Sequence, residues 1–124
     1  MTTWTPDELA RIDGADELQV TTLRGDGSPR SPRTIWVVRD GDDLYVRSVY
    51  GVTSVWYRGT RTRHEGRVQA GGVDRDVTFV DVGDELDERL DAEYRSKYRR
   101  YAASIVDSIT SAEARAATIR LVPR

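Results

Sequence analysis

The chain has 124 residues, enough for one ordinary domain with a core of its own and too few for two. Nineteen basic residues nearly balance 21 acidic ones, for a formal net charge of −2. That removes the bulk electrostatic argument for nucleic acid or an anionic membrane as partner. There is no cysteine and one histidine, His64, which excludes disulfides, thiolate nucleophiles, cysteine-ligated zinc and histidine-rich metal sites.

Hydrophobic residues are dispersed, no run approaches a membrane span, and the N-terminal residues lack the basic and apolar regions of a signal peptide. The expectation is a cytoplasmic protein made of a single domain over residues 1–124. Eighteen of the 19 basic residues are arginine and Lys97 is the sole lysine. A guanidinium is a rigid fork suited to carboxylate or phosphate, so an arginine beside a helix N-terminus merits inspection.

Thr5 and Glu8 form a capping-box pattern with Pro6 at the first helical position, and Leu9 and Ile12 give that helix its apolar face before Gly14 ends it. Leu18 to Leu23 alternates as a strand. Gly25-Asp26-Gly27-Ser28-Pro29 is dense turn chemistry, and Thr34 to Arg39 is rich in β-branched and aromatic residues, so it reads as one strand. Asp40-Gly41-Asp42 predicts a tight reversal into Leu44–Val49. There Leu44 and Val46 face the core while Tyr45 and Arg47 face the other way.

After Gly51 the period changes. Thr53 or Ser54 caps a short helix carrying Val55, Trp56 and Tyr57, with Gly59 as its stop. Arg63–Ala70 and Val73–Val82 read as strands joined by a Gly71-Gly72 hairpin. Asp84 is placed as cap of a helix with Leu86, Leu90, Tyr94 and Tyr98 along one face and Glu85–Arg89 and Asp91–Arg95 pairs on another. A further helix carries Ile105, Val106 and Ile109, and Ala117–Val122 forms a last strand stopped by Pro123. Strands joined mainly by hairpins, without regular βαβ crossovers, predict a mainly β fold: a six-stranded antiparallel barrel with peripheral helices.

Gly25-Asp26-Gly27-Ser28-Pro29-Arg30, Ile35-Trp36-Val37 and the run Asp40 to Ser48 together resemble the opening half of FMN-binding split β-barrels. These are the pyridoxamine-phosphate-oxidase-like proteins and their deazaflavin-dependent nitroreductase relatives. Trp56-Tyr57-Arg58 is similar to the deazaflavin branch, and the stretch from Trp56 to Phe79 resembles a small uncharacterised family of that superfamily.

The resemblance implies a homodimer that binds FMN or a deazaflavin in a cleft between subunits and passes hydride to a small organic acceptor. On the matching positions it implies a phosphate grip by Arg47, Ser48, Ser54 and Arg58. It also implies a strand along the cofactor ring carrying Arg33, Thr34, Ile35 and Trp36. The family's common lysine grip has no counterpart here, since Lys97 lies far along the chain.

Residues 47 to 54 run from a strand end into a helix N-terminus, a geometry that favours anions. On this reading Arg47→Ala weakens binding and leaves the fold intact. The competing reading pairs Arg47 with an acidic neighbour such as Asp43. Trp36, Tyr45, Tyr50 and Trp56 form either a stacking wall or ordinary packing. Tyr50 is the candidate proton donor, and the only residue assigned a catalytic role.

His64 offers an alternative as a haem ligand, against a bland reading as a partly exposed strand residue. A dimer that binds or senses a small ligand without redox chemistry is the other alternative. Asp74, Asp76, Asp81, Asp84 and Glu85 match no calcium loop, so no metal site is expected.

Overall fold

The computed structural model describes residues 3–124. The chain opens with α1 (Pro6–Asp13). The Thr5 side chain accepts from Glu8 N–H and Glu8 reaches back to Thr5, with Pro6 at the start and Gly14 at the end, as the sequence predicts.

Seven strands follow: β1 (Leu18–Thr22), β2 (Arg33–Ile35), β3 (Val38–Asp40), β4 (Asp43–Arg47), β5 (Glu65–Ala70), β6 (Val73–Asp81) and β7 (Thr118–Pro123). They form one sheet in the order β2-β1-β5-β6-β7-β4-β3, every neighbour antiparallel. The two edge strands, β2 and β3, are consecutive in the chain and separated only by Trp36 and Val37. Residues that close must lie together in space, so the sheet curls into a half-barrel whose seam is at that link.

The seam explains why the count is seven and not six. Thr34 to Arg39 is β-prone throughout, yet Val37 bonds to a helix in place of a strand. Its N–H donates to Tyr98 Oη at 3.1 Å and its carbonyl accepts from Lys97 Nζ at 2.8 Å. The Trp36 ring lies flat on Tyr98, centroids 3.8 Å apart and planes 2° apart. Tertiary partners thus override local propensity at two residues.

Alternation along the strands sends Leu18, Val20, Leu44, Val46, Val68, Val77, Phe79, Ile119 and Leu121 into the barrel, joined there by Leu9 and Ile12 of α1. A second cluster lies outside it. There Val38 and Tyr45 meet Leu90, Tyr94 and Tyr98, together with Val106 and Ile109. Tyr45 and Arg47 do point away from the barrel interior, but both are buried beneath helices, so β4 is covered on both faces.

The helices are α2 (Val55–Arg63), α3 (Asp87–Lys97), α4 (Ala103–Ile109) and α5 (Ala112–Arg115). Ser54 caps α2 by accepting from Tyr57 N–H at 3.2 Å. Gly59 does not stop this helix. It lies inside it because α2 crosses β1 closely, and a Cβ at Gly59 would come within 2.9 Å of Thr22 Cβ. The stop is His64, in the left-handed region at φ 56°, so β5 begins at Glu65 and not at Arg63.

Asp84 lies in a 3-10 turn, Asp84–Leu86, and α3 starts three residues later than its candidate cap. The expected i,i+4 pairs do not form on α3. Arg89 reaches Asp40 on β3, Arg95 reaches Asp107 on α4, and Asp91 turns inward. No helix among the described residues is long and apolar enough to cross a membrane.

Candidate functional site

Where β4 ends, the chain makes a corner: Ser48 to Tyr50, a 3-10 turn at Gly51–Thr53, then the Ser54 cap of α2. Gly51 takes φ 72°, and a Cβ there would stand 2.5 Å from Glu113 Cγ, so the corner needs glycine for both angle and space. The corner, the β2–Trp36 segment and α4 enclose a cavity of about 580 Å³. The β2 side contributes Arg33, Thr34, Ile35 and Trp36. The corner contributes Val49, Tyr50, Ser54, Val55 and Trp56, and Ile105 and Ile109 close it from α4.

The cavity's chemistry is one-sided. No acidic residue lines it, although the chain carries 21 of them. Arg33 is exposed and forms no ion pair with any described residue. The first N–H groups of α2 have no partner within the helix. Ser54 Oγ satisfies that of Tyr57, and Val55 and Trp56, the first two residues of the helix, line the cavity. A helix start and an unpaired guanidinium at one site favour an anion. The rest is flat and apolar, with Trp36 locked in place by its stack on Tyr98.

Arg47 reaches the cavity from below, but its hydrogen bonds point elsewhere. Its side chain is 0% exposed. Nε donates to Thr118 Oγ1 at 3.1 Å, Nη1 to Asp91 Oδ1 at 2.5 Å and to the Ile109 carbonyl at 3.2 Å, and Nη2 to the Asp87 carbonyl at 3.3 Å. Four of its five N–H groups are therefore committed. The phosphate grip expected of Arg47 is corrected to an internal ion pair. Its partner is Asp91, 44 residues away, and not Asp43.

Asp91 also accepts from Arg115 Nε at 3.0 Å. Burial works against its charge, but the hydrogen bonds from Arg115 and Arg47 outweigh it and hold the carboxyl below its ordinary pKa. Tyr94, which Arg47 overlies at 5.4 Å, has its phenol pushed well above the usual value by burial.

Of the other expected residues, Arg33, Thr34, Trp36, Tyr50 and Ser54 meet at the cavity, with Thr34 Oγ1 accepting from Gln19 Nε2 at 2.7 Å. Ser48 and Arg58 do not line it. Ser48 is buried behind the corner with no hydrogen-bond partner for its hydroxyl among the described residues, and Arg58 is exposed on α2. His64 caps the far end of α2, exposed and away from the cavity, so the haem role has no geometry behind it.

Ile105 and Ile109 were missed as lining. Their i,i+4 spacing reads as an ordinary core stripe, and only tertiary packing carries α4 to the cavity. No group of three or more potential metal ligands occurs among the described residues.

A family model described as "Uncharacterized protein conserved in bacteria (DUF2255)" matches residues 8–121. The chain belongs to DUF2255. Among curated proteins no match to this DUF2255 chain was found. Among solved structures it is similar to HutZ, the heme storage protein from Vibrio cholerae, at 14% identity and a TM-score of 0.68. That match covers 100% of this chain and 92% of the other. It is similar to an F420-H2 dependent reductase, FDR-A, at 17% identity and a TM-score of 0.62, over 86% and 93%. A third is an FAD-binding protein from Mesorhizobium loti, at 16% identity and a TM-score of 0.56, over 98% and 91%. At these identities the likeness establishes a shared split-barrel fold for the DUF2255 chain, and chemistry must be argued from its own residues.

Proposed function

We propose that this DUF2255 protein binds FMN or a deazaflavin in the 580 Å³ cavity and serves hydride transfer to a small organic acceptor. The observation that carries this reading is an acid-free, aromatic cavity with an unpaired arginine and a helix start at its edge. A flavin-type group, when bound, supplies the hydride chemistry itself.

The chain's residues do the rest. Arg33 and the start of α2, with Ser54, hold the anionic end. Trp36, backed by Tyr98, sets the plane of the ring, with Thr34 beside it. Ile35, Ile105 and Ile109 exclude water. Tyr50 stands at the mouth, 72% exposed, with a phenolic proton to offer an acceptor. Arg47, Ser48 and Arg58 have no part in this grip.

The reading includes a homodimer. The exposed large hydrophobics among the described residues are Val49, Tyr50, Val52, Val55 and Ile105. Four of them line this cavity, and Val52 lies in the turn between them. A contiguous apolar rim of this kind marks a surface that a partner covers, and a second copy of the chain would close the mouth over a bound ring.

Titration of the purified protein with FMN and with the deazaflavin F420, followed by fluorescence, tests the proposal. Saturable binding of one of them is expected. Arg33→Ala should weaken it roughly tenfold, the worth of one charge-assisted hydrogen bond, with the melting temperature unchanged. Tyr50→Phe should slow turnover at unchanged affinity. Binding without any turnover would support a ligand-holding dimer in place of an enzyme. No binding of either, or no effect of Arg33→Ala, overturns the assignment.

A further inference from the structure

A second hollow, of about 450 Å³, lies between the end of α1, strand β3 and the last turn of α3. Its chemistry is the reverse of the first cavity: it is polar and charged, and it contains the only lysine of the chain. Lys97 forms no ion pair with any described carboxylate. Nζ donates one hydrogen bond to the Val37 carbonyl at 2.8 Å and lies 5.3 Å from the Tyr98 ring centroid. Burial pulls its pKa down to about 8, against the opposing charge of Asp13. Nζ thus has one hydrogen-bond acceptor, the Val37 carbonyl, and borders the hollow.

The groups around it come from three elements. Asp13 faces it from α1 and Arg39 from β3. Glu93 stands one turn earlier on the same face of α3, and Arg99 and Arg100 follow its end. Arg100 is committed to Asp16. Arg39 gives Nε to the Gly41 carbonyl and meets no carboxylate, and Arg99 has no ion pair among the described residues. Two guanidiniums therefore line the same hollow as the amine with no ion-pair partner among the described residues. Glu93 is held above the ordinary carboxyl pKa, chiefly by burial and then by the charges of Asp40 and Asp13, so it keeps its proton to higher pH than a free carboxyl.

We propose that Lys97 is a covalent carbonyl-binding residue, and that its pocket takes a small anionic aldehyde or 2-oxo acid as an imine. The amine nitrogen attacks the carbonyl carbon to give a carbinolamine. The C–O bond then breaks, and the oxygen leaves as water, with Glu93 placed to give a proton to it. Nothing is oxidised or reduced. Arg39 and Arg99 bind the carboxylate of the bound molecule. This site is separate from the flavin-type cavity, and its test needs no cofactor.

The probe is glyoxylate, with acetaldehyde as its uncharged counterpart. Each is incubated with the whole protein and cyanoborohydride, which traps the imine as a secondary amine, and peptide masses locate the adduct. At about pH 7.5, an amine of pKa about 8 is roughly a quarter neutral, against about one part in a thousand for an ordinary lysine. Labelling of Lys97 by glyoxylate should saturate and run at least about tenfold faster than labelling of Nα-acetyl-lysine.

Corrected for their rates on Nα-acetyl-lysine, glyoxylate should exceed acetaldehyde. Arg39→Gln and Arg99→Gln should each lower the glyoxylate rate severalfold and leave the acetaldehyde rate alone. Labelling no faster than Nα-acetyl-lysine overturns the reactive amine. Equal rates for the two aldehydes, or two arginine variants that behave like the parent, overturn the anion pocket.

Discussion

Arg47 and Arg67 each stand between two aspartates, and the structure treats them in opposite ways. Arg67 bridges Asp74 at 2.5 Å and Asp76 at 2.7 Å on the outer face of the β5–β6 hairpin, with its side chain 48% exposed. Arg47 meets Asp91 at 2.5 Å and Asp87 at 3.8 Å with no exposure at all. Water competes freely for both partners of Arg67, whereas it never reaches the Arg47 side chain and touches its partners Asp91 and Asp87 only at 12% and 18% exposure. The same count of charges is therefore a surface ornament in one place and a structural requirement in the other. Burial decides, because a charge removed from water must be answered by fixed partners or it destabilises the fold.

The largest expected effect follows from removing the carboxylate at the centre of the buried set. Asp91→Ala leaves Arg47 charged, buried and facing a void, and takes from Arg115 its partner as well. Breaking a buried pair from one side costs about 3–5 kcal/mol, which denaturant unfolding would read directly. Because Arg47 also bounds the cavity floor, the same variant should disturb ligand binding through the position of β4 and α4. The internal bonds of Arg47 predict the same order for Arg47→Ala: a loss of stability first, in place of lost binding with an intact fold. A loss as small as that of an exposed pair would break the comparison.

A pH series sharpens it. The folded pKa of Asp91 lies below its unfolded value, so the unfolded chain binds the proton more readily. The network's stabilisation is complete above the ordinary aspartate pKa of about 3.9 and disappears as pH falls through the folded value. Asp91→Asn keeps the shape and lacks the charge. The stability gap between parent and Asp91→Asn should hold steady from neutrality to about pH 5 and close on further acidification. A gap independent of pH would assign the effect to shape and not to charge.

The contrast also marks what could be read from the chain alone. The capping box at Thr5, the Gly71-Gly72 hairpin and the Leu90–Tyr94–Tyr98 stripe are local statements, written in neighbouring residues, and they appear where the sequence puts them. Both hairpin glycines do take positive φ, 57° and 84°. The cavity was half legible. Arg33, Thr34, Trp36, Tyr50 and Ser54 belong to two short segments whose order resembles a known barrel.

Its other half was hidden for a physical reason. Nothing near Arg47 in sequence distinguishes an arginine that holds a ligand from one that holds Asp91, because that choice is made by a helix 44 residues later. The break at Trp36–Val37 has the same origin. A β-prone segment gives up its ladder only because Tyr98 and Lys97, 60 residues on, supply the bonds. Asp91 itself read as half of a surface i,i+4 pair, a correct spacing whose face was set by the fold.

The smallest effect is expected at Arg67, where a charge census would predict one of the largest. Arg67→Ala removes two ion pairs at once. Yet Asp74 keeps the amide of Gln69 at 3.0 Å, and both aspartates regain water on an open face. The hairpin's register does not depend on the pair. It is fixed by the two glycines at its tip and by Val68 and Val77, whose side chains are buried in the barrel, so a slip of one residue would turn both outward. Thermal unfolding of Arg67→Ala at physiological salt should therefore be indistinguishable from that of the parent, and added salt should change neither. A midpoint lowered as far as that of the Asp91 variants would mean that the number of charges, and not their removal from water, governs ion pairs in this fold.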